Sequence, residues 1–380
     1  MLTVFATIAL LHVRILEMTT ENEIRAYIDR TTALNTFFQY PPLRVEEIGD
    51  GNLNFIFRIS DQSGTSLILK YAAPYLRLLG KDFPLPQNRI CVEMHTLSYF
   101  KSIAPSLIPT LYYLDEASFC FVMEDLVGYR LLQTAQFDQF IAPSLYAKLG
   151  TFLATLYTKA PPKHEANYYE NATLKRISEE YIFIFPYIKN HPALTLPDYF
   201  SPMPKSVTFL HNIDMLLNLF QNEKECLIHG DLHTGSIMIK HENLSIIDAE
   251  FSFWGPLGFD IGTLLAHIIF GEIYNCFIPK PVQFQPIVRA LWKAFEKSLG
   301  NVPLHIMQQS IGFCGAELSR RLVVPAKAKP LEAIAPLEDK TKAYVLCEKL
   351  SIELVESFLH VKRFEAFIEV VERHLCVKTH

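Results

Sequence analysis

Strand patterns are unevenly distributed along the chain, and this feature constrains the fold more than any other. Short apolar runs typical of strands lie between residues 43 and 124, separated by turn residues such as Ser63-Gly64. Beyond residue 125 the apolar residues mostly follow helical spacing, except in one β-rich stretch at residues 226–250. We therefore predict an α+β fold with a small antiparallel β-rich N-lobe and a larger, mainly helical C-lobe.

The length of the chain supports two lobes, because a single hydrophobic core seldom extends beyond about 300 residues and this chain has 380. We place the N-lobe at residues 18–124 and the C-lobe at residues 125–380. The N-lobe is expected to contain, in order, a helix over residues 21–40, three strands within residues 43–71, an ordered loop at residues 74–88, a helix from about Arg89 to Phe100, and the strands Thr110–Leu114 and Phe119–Met123.

Residues 1–17 form a doubtful N-terminal extension. The mostly apolar run from Leu2 to Leu11 is shorter than the roughly 20 residues that span a bilayer, and it lacks the basic start and cleavage site of a secretion signal. A capping-box pattern at Thr20 and Glu23 opens a helix shortly after Met18. We expect the natural chain to begin at Met18. A buried or dimer-covering segment and a membrane anchor are the second and third interpretations.

Composition excludes several classes of protein. The net charge of −5 argues against a protein that binds nucleic acid or a membrane through bulk charge. The content of 50% hydrophobic and 20% charged residues fits a packed globular protein. The seven cysteines are scattered and form no C-x-x-C pair, which indicates a reducing cytoplasm.

The strongest chemical signal is a pair of carboxylate-bearing segments in the β-rich stretch. An apolar run leads into HGDLHTGS at residues 229–236, and the apolar run at residues 244–247 ends in Asp248 and Glu250. We expect Asp248 and Glu250 to extend that strand and point to the same side. Asp231 and Asp248 are seventeen positions apart, and a hairpin can bring both to one edge. Phosphoryl transfer uses such a pair, one carboxylate for the attacking hydroxyl and another for Mg²⁺.

The N-lobe supplies candidates for nucleotide binding. The segment GDGNLN at residues 49–54 lies between two predicted strands, where backbone amides can contact phosphates, although two glycines there can equally form a plain turn. Lys70 ends the third strand, and Glu93 on the next helix is spaced to pair with it. The backbone at the lobe junction is a candidate for contacts with adenine, through Glu124, Asp125 and Leu126.

In this order, the segments resemble the aminoglycoside phosphotransferase and choline kinase-like superfamily, small-molecule relatives of protein kinases. Within it the chain is most similar, from about residue 20 onward, to the S-methyl-5-thioribose kinase family. Ser236, where most of the superfamily has Asn, and Asp248-x-Glu250 are similar to that branch. The resemblance rests on GDGNLN at 49–54, Leu69-Lys70 with Pro74-Tyr75, HGDLHTGS at 229–236, DAEF at 248–251, GPLGFDIG at 255–262 and GAELSRR at 315–321.

The resemblance implies a protein-kinase-like fold and ATP-dependent, Mg²⁺-dependent phosphorylation of the 1-hydroxyl of methylthioribose, in methionine salvage. It also implies a cytoplasmic homodimer that binds a small thiosugar, with no nucleic-acid or membrane partner. The implied site consists of Asp231 as catalytic base, Asp248 and Glu250 as metal ligands, Arg320 and Arg321 near the sugar, and Asn54, Lys70, Glu93, Glu124, Asp125 and Leu126 on the nucleotide side.

Two adjacent arginines can share one ligand only near the end of a helix, because consecutive helical residues diverge by about 100°. The sequence at residues 323–325, Val-Val-Pro, predicts that end.

Residues 322–330 depart from the family pattern, and Phe83 stands where a tryptophan is usual. A kinase of another small alcohol, such as an aminoglycoside or choline, therefore stays open. So does a nucleotide-binding pseudokinase, although the chain keeps Lys70, Asp231 and Asp248.

Overall fold

A computed structural model describes residues 17–48, 53–278 and 280–376. The chain divides into two compact units. The first contains the residues up to Ile90 together with Leu111–Asp125, and the second contains Cys91–Thr110 and the residues from Leu126 onward. Apart from Glu17, the doubtful extension at residues 1–17 lies outside the described residues, and so do residues 49–52 of the glycine loop.

The described part of the first unit begins with two short helices, α1 (Glu21–Arg30) and α2 (Thr32–Asn35). Strands follow, and they are β1 (Arg44–Glu47), β2 (Phe55–Ser60), β3 (Ser66–Tyr71), β4 (Tyr75–Leu76), β5 (Gly80–Pro84), β6 (Leu111–Asp115) and β7 (Cys120–Glu124).

The predicted capping box opens α1. The backbone N–H of Glu23 donates to Thr20 Oγ1 over 3.4 Å, and the N–H of Thr20 donates to Glu23 Oε2 over 3.0 Å. The prediction of a helix over residues 21–40 is only partly right, because α1 ends at Arg30 and α2 covers only Thr32–Asn35. Thr31 takes an extended conformation, and its hydroxyl donates to the carbonyl of Tyr27 over 2.7 Å, an alternative to continued helical bonding.

Five strands form one antiparallel sheet in the order β1-β2-β3-β7-β6, which confirms the predicted antiparallel lobe. Strand β3 is central and pairs with β2 and β7. Alternate β3 residues such as Leu69 and Tyr71 are buried in one apolar cluster with Ile24 and Ile28 of α1. The sheet is therefore stabilised on that face by burial against the N-terminal helix.

The stretch predicted as an ordered loop at residues 74–88 contains a small hairpin. Strands β4 and β5 pair with an irregular register, Tyr75 opposite Pro84 and Leu76 opposite Gly80. Phe83 lies on β5 with 51% of its surface exposed.

The second unit is mainly helical. Its helices, the first of which begins at the end of the first unit, are α3 (Arg89–Ile103), α4 (Leu132–Asp138), α5 (Pro143–Thr158), α6 (Ala172–Ser178), α7 (Val207–Asn222), α8 (Leu257–Asn275), α9 (Phe284–Leu299), α10 (Leu304–Arg320), α11 (Lys329–Glu332), α12 (Leu337–Ser357) and α13 (Phe364–Cys376). Its strands are β8 (Arg130–Leu131), β9 (Cys226–Ile228), β10 (Ile237–Lys240), β11 (Asn243–Ile246) and β12 (Phe253–Gly255).

The predicted β-rich stretch near residues 226–250 forms two small antiparallel sheets. One has the order β11-β10-β8, and the other pairs β12 with β9. Ile237 lies opposite Ile246 in the β10–β11 hairpin, and Ile228 lies opposite Phe253. These pairings fix both ends of the segment that carries Asp231.

Helix α8 lies in the core of the second unit. By its length and apolar composition alone, α8 could cross a membrane. However, 94% of an apolar 18-residue stretch of this helix is buried within the protein. It packs closely on α10, since a Cβ atom at Gly262 would lie 2.6 Å from the carbonyl oxygen of Ser310. This contact fixes two helices that both carry side chains of the candidate site.

Candidate active site

The segment at residues 229–236, here called the Asp231 loop, connects β9 to β10. Gly230 has a φ of +80°, a backbone region that glycine adopts without strain. A Cβ atom at this position would lie 2.1 Å from the carbonyl oxygen of Phe251, so close packing also requires glycine. Gly230 thus allows the chain to turn sharply and place Asp231 directly after a buried strand.

Asp260 of α8 holds the first part of this loop. Its carboxylate accepts the backbone N–H of His229 over 2.7 Å and that of Gly230 over 2.9 Å. Burial raises the pKa of Asp260 to about 7, although the two amides oppose the rise. His229 is fully buried, and burial lowers its pKa to about 4. Its neutral ring contacts the carbonyl of Ile247 over 2.8 Å, which ties the loop to the residue after β11.

Ser236 holds the second part of the loop. Its Oγ accepts the N–H of His233 over 2.9 Å and lies 3.1 Å from the carbonyl oxygen of Asp231. Its own backbone N–H donates to the carbonyl of His233 over 2.9 Å. A serine is therefore sufficient to close the turn in this chain.

Asp231 is the acid of the loop and is partly exposed, with 29% of its side chain accessible. Its Oδ2 lies 3.4 Å from Nε2 of His233, and its Oδ1 lies 4.0 Å from Nη2 of Arg321. Burial raises the pKa of Asp231, but His233, Arg321 and Arg320 lower it more, so the net pKa lies well below the usual value. The side chain is thus an ionised carboxylate at neutral pH, ready to accept a hydrogen bond from a hydroxyl group.

The two arginines meet at the end of α10, as the sequence predicts. Arg320 is the last residue of the helix and Arg321 is its C-cap. Nε of Arg321 donates to Oε1 of Glu317 over 2.7 Å, and Nε of Arg320 donates to Oε2 of the same carboxylate. Burial raises the pKa of Glu317, but the two arginines lower it by more, so the net pKa lies well below its usual value.

Sequence reasoning assigns no role to Asp260, His267 or Glu317, which the structure brings to this site. Nε2 of His267 lies 3.1 Å from Oε1 of Glu317, and its ring stacks on that of His233 with centroids 4.6 Å apart. Burial lowers the pKa of His267 to about 3. The motif GAELSRR contains Glu317, and GPLGFDIG contains Asp260. His267 carries no sequence signal, because only the packing of α8 on α10 brings it here.

The expectation that Asp248 and Glu250 extend a strand is wrong. Strand β11 ends at Ile246, Asp248 has a φ of +64°, and Glu250 lies in a single 3₁₀ turn. The rule that residues i and i+2 of a strand share a side does not apply here. Asn171 holds this turn, because its Nδ2 donates to the carbonyl of Glu250 over 2.7 Å and to that of Ser252 over 3.0 Å.

Asp248 and Glu250 stay the predicted metal ligands, and their chemistry suits a magnesium ion that a nucleotide brings with it. Mg²⁺ prefers oxygen ligands and is usually bound by one or two carboxylates together with substrate phosphates. Asp248 and Glu250 are a donor set of that size. Among the residues that the structure describes, no group of three or more His, Cys, Asp or Glu side chains is arranged to bind a metal ion by itself.

On the nucleotide side, Lys70 lies in the middle of the five-stranded sheet, opposite Ile56 and Phe121, and is buried. Asn54 is also buried, and its Oδ1 accepts Nε–H of Arg89 over 2.9 Å. Arg89 also donates to the carbonyls of Leu53 and Ala73, over 3.1 and 3.0 Å. Sequence reasoning misses this anchor, which fixes Leu53 and Asn54, the last two residues of the GDGNLN segment.

Glu124 ends β7, and Asp125 follows it as the last residue of the first unit. The carboxylate of Asp125 accepts Nε and Nη2 of Arg58 over 2.7 and 3.0 Å, and the hydroxyl of Ser66 over 2.8 Å. Its side chain thus fixes the strand end and leaves the backbone as the candidate for adenine. Leu126 and Glu93 belong to the second unit, and the pairing of Glu93 with Lys70 stays a prediction.

Comparison with known families decides the class of this protein. Residues 44–275, more than half of the chain, match the phosphotransferase enzyme family known as APH. The chain belongs to this family. The predicted superfamily is thereby confirmed, and the matched region contains Asp231, Asp248 and Glu250 together with the predicted nucleotide-side residues.

Several relatives are similar to this chain over most of its length. A methylthioribose kinase from Geobacillus sp. (strain WCH70) is 32% identical over 365 residues, which cover 86% of this chain and 90% of the relative. A methylthioribose kinase from Exiguobacterium sibiricum is 33% identical over 324 residues, covering 77% and 83%. This similarity and the family make the protein an ATP-dependent kinase, as predicted.

A solved structure is similar in fold. The amicoumacin kinase hAmiN, determined in complex with AMP-PNP, Ca²⁺ and Ami, has a TM-score of 0.51 at 15% identity and covers 88% of this chain and 96% of that one. With the antiparallel β-rich and helical regions described above, this confirms the predicted α+β, protein-kinase-like fold class.

Proposed function

We propose that this kinase transfers the γ-phosphate of ATP to the 1-hydroxyl of S-methyl-5-thioribose. The observation that carries the proposal is an ionised, partly exposed Asp231 with an arginine Nη2 4.0 Å from its Oδ1. This arrangement provides an acceptor for a hydroxyl proton beside a cation suited to phosphoryl oxygens. The relatives named methylthioribose kinase supply the choice of sugar.

In the proposed reaction, Asp231 accepts a hydrogen bond from the acceptor hydroxyl and orients its oxygen towards the γ-phosphorus. A bond forms between that oxygen and phosphorus, the bond from phosphorus to the β,γ-bridging oxygen breaks, and the proton passes to Asp231. The low pKa of Asp231 suits this order of events. The hydroxyl becomes acidic only as the new bond forms, so positioning comes first and proton transfer comes late.

Arg320 and Arg321 would act on the acceptor side. A guanidinium group presents a planar fork of donors that can bind sugar hydroxyls or phosphoryl oxygens in pairs. Their positive charge opposes binding of a cationic acceptor and favours a neutral sugar that becomes anionic on phosphorylation. This argument favours a thiosugar over an aminoglycoside or choline.

Asn54, Lys70, Glu93 and the backbone of Glu124, Asp125 and Leu126 would hold ATP. Asp248 and Glu250 would hold Mg²⁺. When it is bound, this ion would neutralise negative charge on the phosphates of ATP. Because the Asp125 carboxylate is occupied by Arg58 and Ser66, its contribution would come from main-chain groups.

Two departures from the family pattern favour an alternative acceptor, such as another small alcohol. Residues 322–330, directly after the arginine pair, differ from the family pattern, and Val324 pairs with Thr195 in an isolated bridge. Phe83 departs from the family pattern as well. Both differences lie outside the Asp231 loop and the Asp248–Glu250 turn. They would change which alcohol is accepted while leaving phosphoryl transfer intact.

By resemblance we also propose a homodimer that works in methionine salvage in the cytoplasm, with no nucleic-acid or membrane partner. The N-lobe at residues 18–124 would carry most of the nucleotide side, and the C-lobe at residues 125–380 would carry the catalytic and acceptor groups.

The proposal is tested by incubating the purified full-length protein with MgATP and methylthioribose and following the product by ³¹P NMR. A phosphate monoester on the 1-oxygen, formed together with ADP, is the expected result. A parallel panel of an aminoglycoside, choline and free ribose reports ADP release. If another alcohol is phosphorylated and methylthioribose is not, that alcohol replaces methylthioribose as the proposed acceptor. No turnover of any alcohol, with intact ATP binding, would favour the pseudokinase.

A further inference from the structure

The Glu317 carboxylate is the common partner of both arginines of the proposed acceptor site. It is 1% exposed and contacts three side chains, namely Arg320, Arg321 and His267. A buried charge is expensive unless it is paired and hydrogen-bonded, and here both oxygens are used. The proposed reaction assigns this carboxylate no proton and no substrate contact.

The atoms used in these contacts are informative. Both arginines bind Glu317 through Nε. The Nη groups, which form the outer end of each fork, are left for other ligands. Nη2 of Arg321 lies 4.0 Å from Oδ1 of Asp231. A single carboxylate thus fixes the orientation of both guanidinium groups.

A second connection links Glu317 to the Asp231 loop. His267 contacts Glu317 through Nε2, and its ring lies nearly parallel to that of His233, with an angle of 17° between the planes. Nδ1 of His233 accepts the backbone N–H of Gly235 over 2.8 Å, which leaves Nε2 as the proton-bearing atom facing Asp231. Glu317 therefore connects to Asp231 through Arg321 on one side and through the histidine stack on the other.

We propose that Glu317 is a positioning residue of the acceptor site, whose buried carboxylate holds Arg320 and Arg321 by Nε so that their Nη groups stay directed at the acceptor and the phosphoryl group it receives. The inference rests on the proposed function. It assigns Glu317 an effect on the acceptor alone, exerted through the arginines, and none on ATP binding.

Two substitutions separate position from charge. Glu317→Gln keeps the shape but places an amide N–H₂ against one arginine. Glu317→Asp keeps the charge but is one methylene too short to reach both Nε atoms. If Glu317 acts by position, both variants lose kcat/KM for the acceptor, by about 100-fold for Gln and at least about 10-fold for Asp, with KM for ATP within about two-fold of wild type. If it acts by charge alone, Glu317→Asp behaves as wild type.

Glu348→Gln is the matched control, because Glu348 is also buried in the second unit and pairs with Lys205. It is expected to lower the melting temperature while leaving acceptor kinetics unchanged. The inference is overturned if the Glu317 variants keep the wild-type kcat/KM for the acceptor. It is also overturned if KM for ATP rises by as large a factor as kcat/KM for the acceptor falls. Failure of the wild-type protein to phosphorylate any alcohol would instead remove the proposed function. A different accepted alcohol would simply replace methylthioribose in the same kinetic comparison.

Discussion

The Asp231 loop and the arginine pair lie 4.0 Å apart at their nearest charged atoms, yet they are held in place in different ways. The loop is fixed by Asp260, by His229 on Ile247 and by Ser236, which together bond the backbone at several points. The arginines depend on one carboxylate at the end of a helix. The loop should therefore tolerate the loss of one contact, whereas the arginine pair should not.

The largest effect is expected from Asp231→Asn, which removes the charge of the loop but none of the backbone bonds that hold it. Loss of a general base typically costs 10²–10⁴-fold, and we expect kcat to fall about 1,000-fold. ATP affinity, measured by calorimetry, should stay near wild type. Normal turnover in this variant would show that Asp231 is not the general base.

The arginine side is tested by Arg321→Lys, which keeps the positive charge but loses the Nε donor and the fork. We expect kcat/KM for the acceptor to fall about 100-fold, as for loss of an oriented donor to developing charge. Arg289→Lys is the control, since Arg289 pairs with Glu365 on other helices and should leave the kinetics unchanged. Equal kinetics for the two variants would mean that charge alone is required at residue 321.

The packing of the loop is tested by Gly230→Ala. The added Cβ would meet the Phe251 carbonyl at 2.1 Å in a left-handed backbone conformation, so we expect a loss of about 3 kcal/mol in the free energy of unfolding. Gly80→Ala has a similar φ of +79° but nothing within 4 Å, so it should cost about 1 kcal/mol. Urea unfolding of both variants measures the difference. Equal losses would exclude the contact with Phe251 as the cause.

The smallest effect concerns pH and the buried histidines. The folded-state pKa values of His229 and His267, about 4 and about 3, lie below the value of 6.5 for a free side chain. The unfolded chain therefore binds protons first as the pH falls. Each histidine by itself should lower the stability by about 2 kcal/mol at pH 5, whereas Asp260 and Glu272, whose pKa values burial raises to about 7, take up protons in the folded state and offset this loss.

The variant His267→Gln, which keeps a donor for Glu317, should be more stable at pH 5, relative to its own stability at pH 6.5, than the wild-type protein is, by about 2 kcal/mol. His211→Gln on the exposed face of α7 is the control and should leave the pH dependence of unfolding unchanged. Denaturant unfolding across this pH range provides the measurement. An unaltered slope in the His267 variant would show that His267 does not stay neutral in the folded protein.

The sequence predicts most of the strands, the capping box and the helix end at the arginines, because these depend on local pattern and turn chemistry. It fails at Thr31, whose extended backbone ends α1, and at Asp248, whose left-handed backbone follows the end of β11 at Ile246 and leads into a 3₁₀ turn. It also does not predict that His267 and Glu317 meet. Those residues are fifty positions apart, and their contact arises from the close packing of α8 on α10.

The most direct test of the account is a crystal structure of the protein with methylthioribose and a non-hydrolysable ATP analogue. The account predicts the 1-hydroxyl oxygen within about 2.6–3.2 Å of an Asp231 carboxylate oxygen, with Nη groups of Arg320 and Arg321 on the same sugar or on the γ-phosphate. A sugar bound away from Asp231, or arginines turned from it while Glu317 still holds them, would contradict the account.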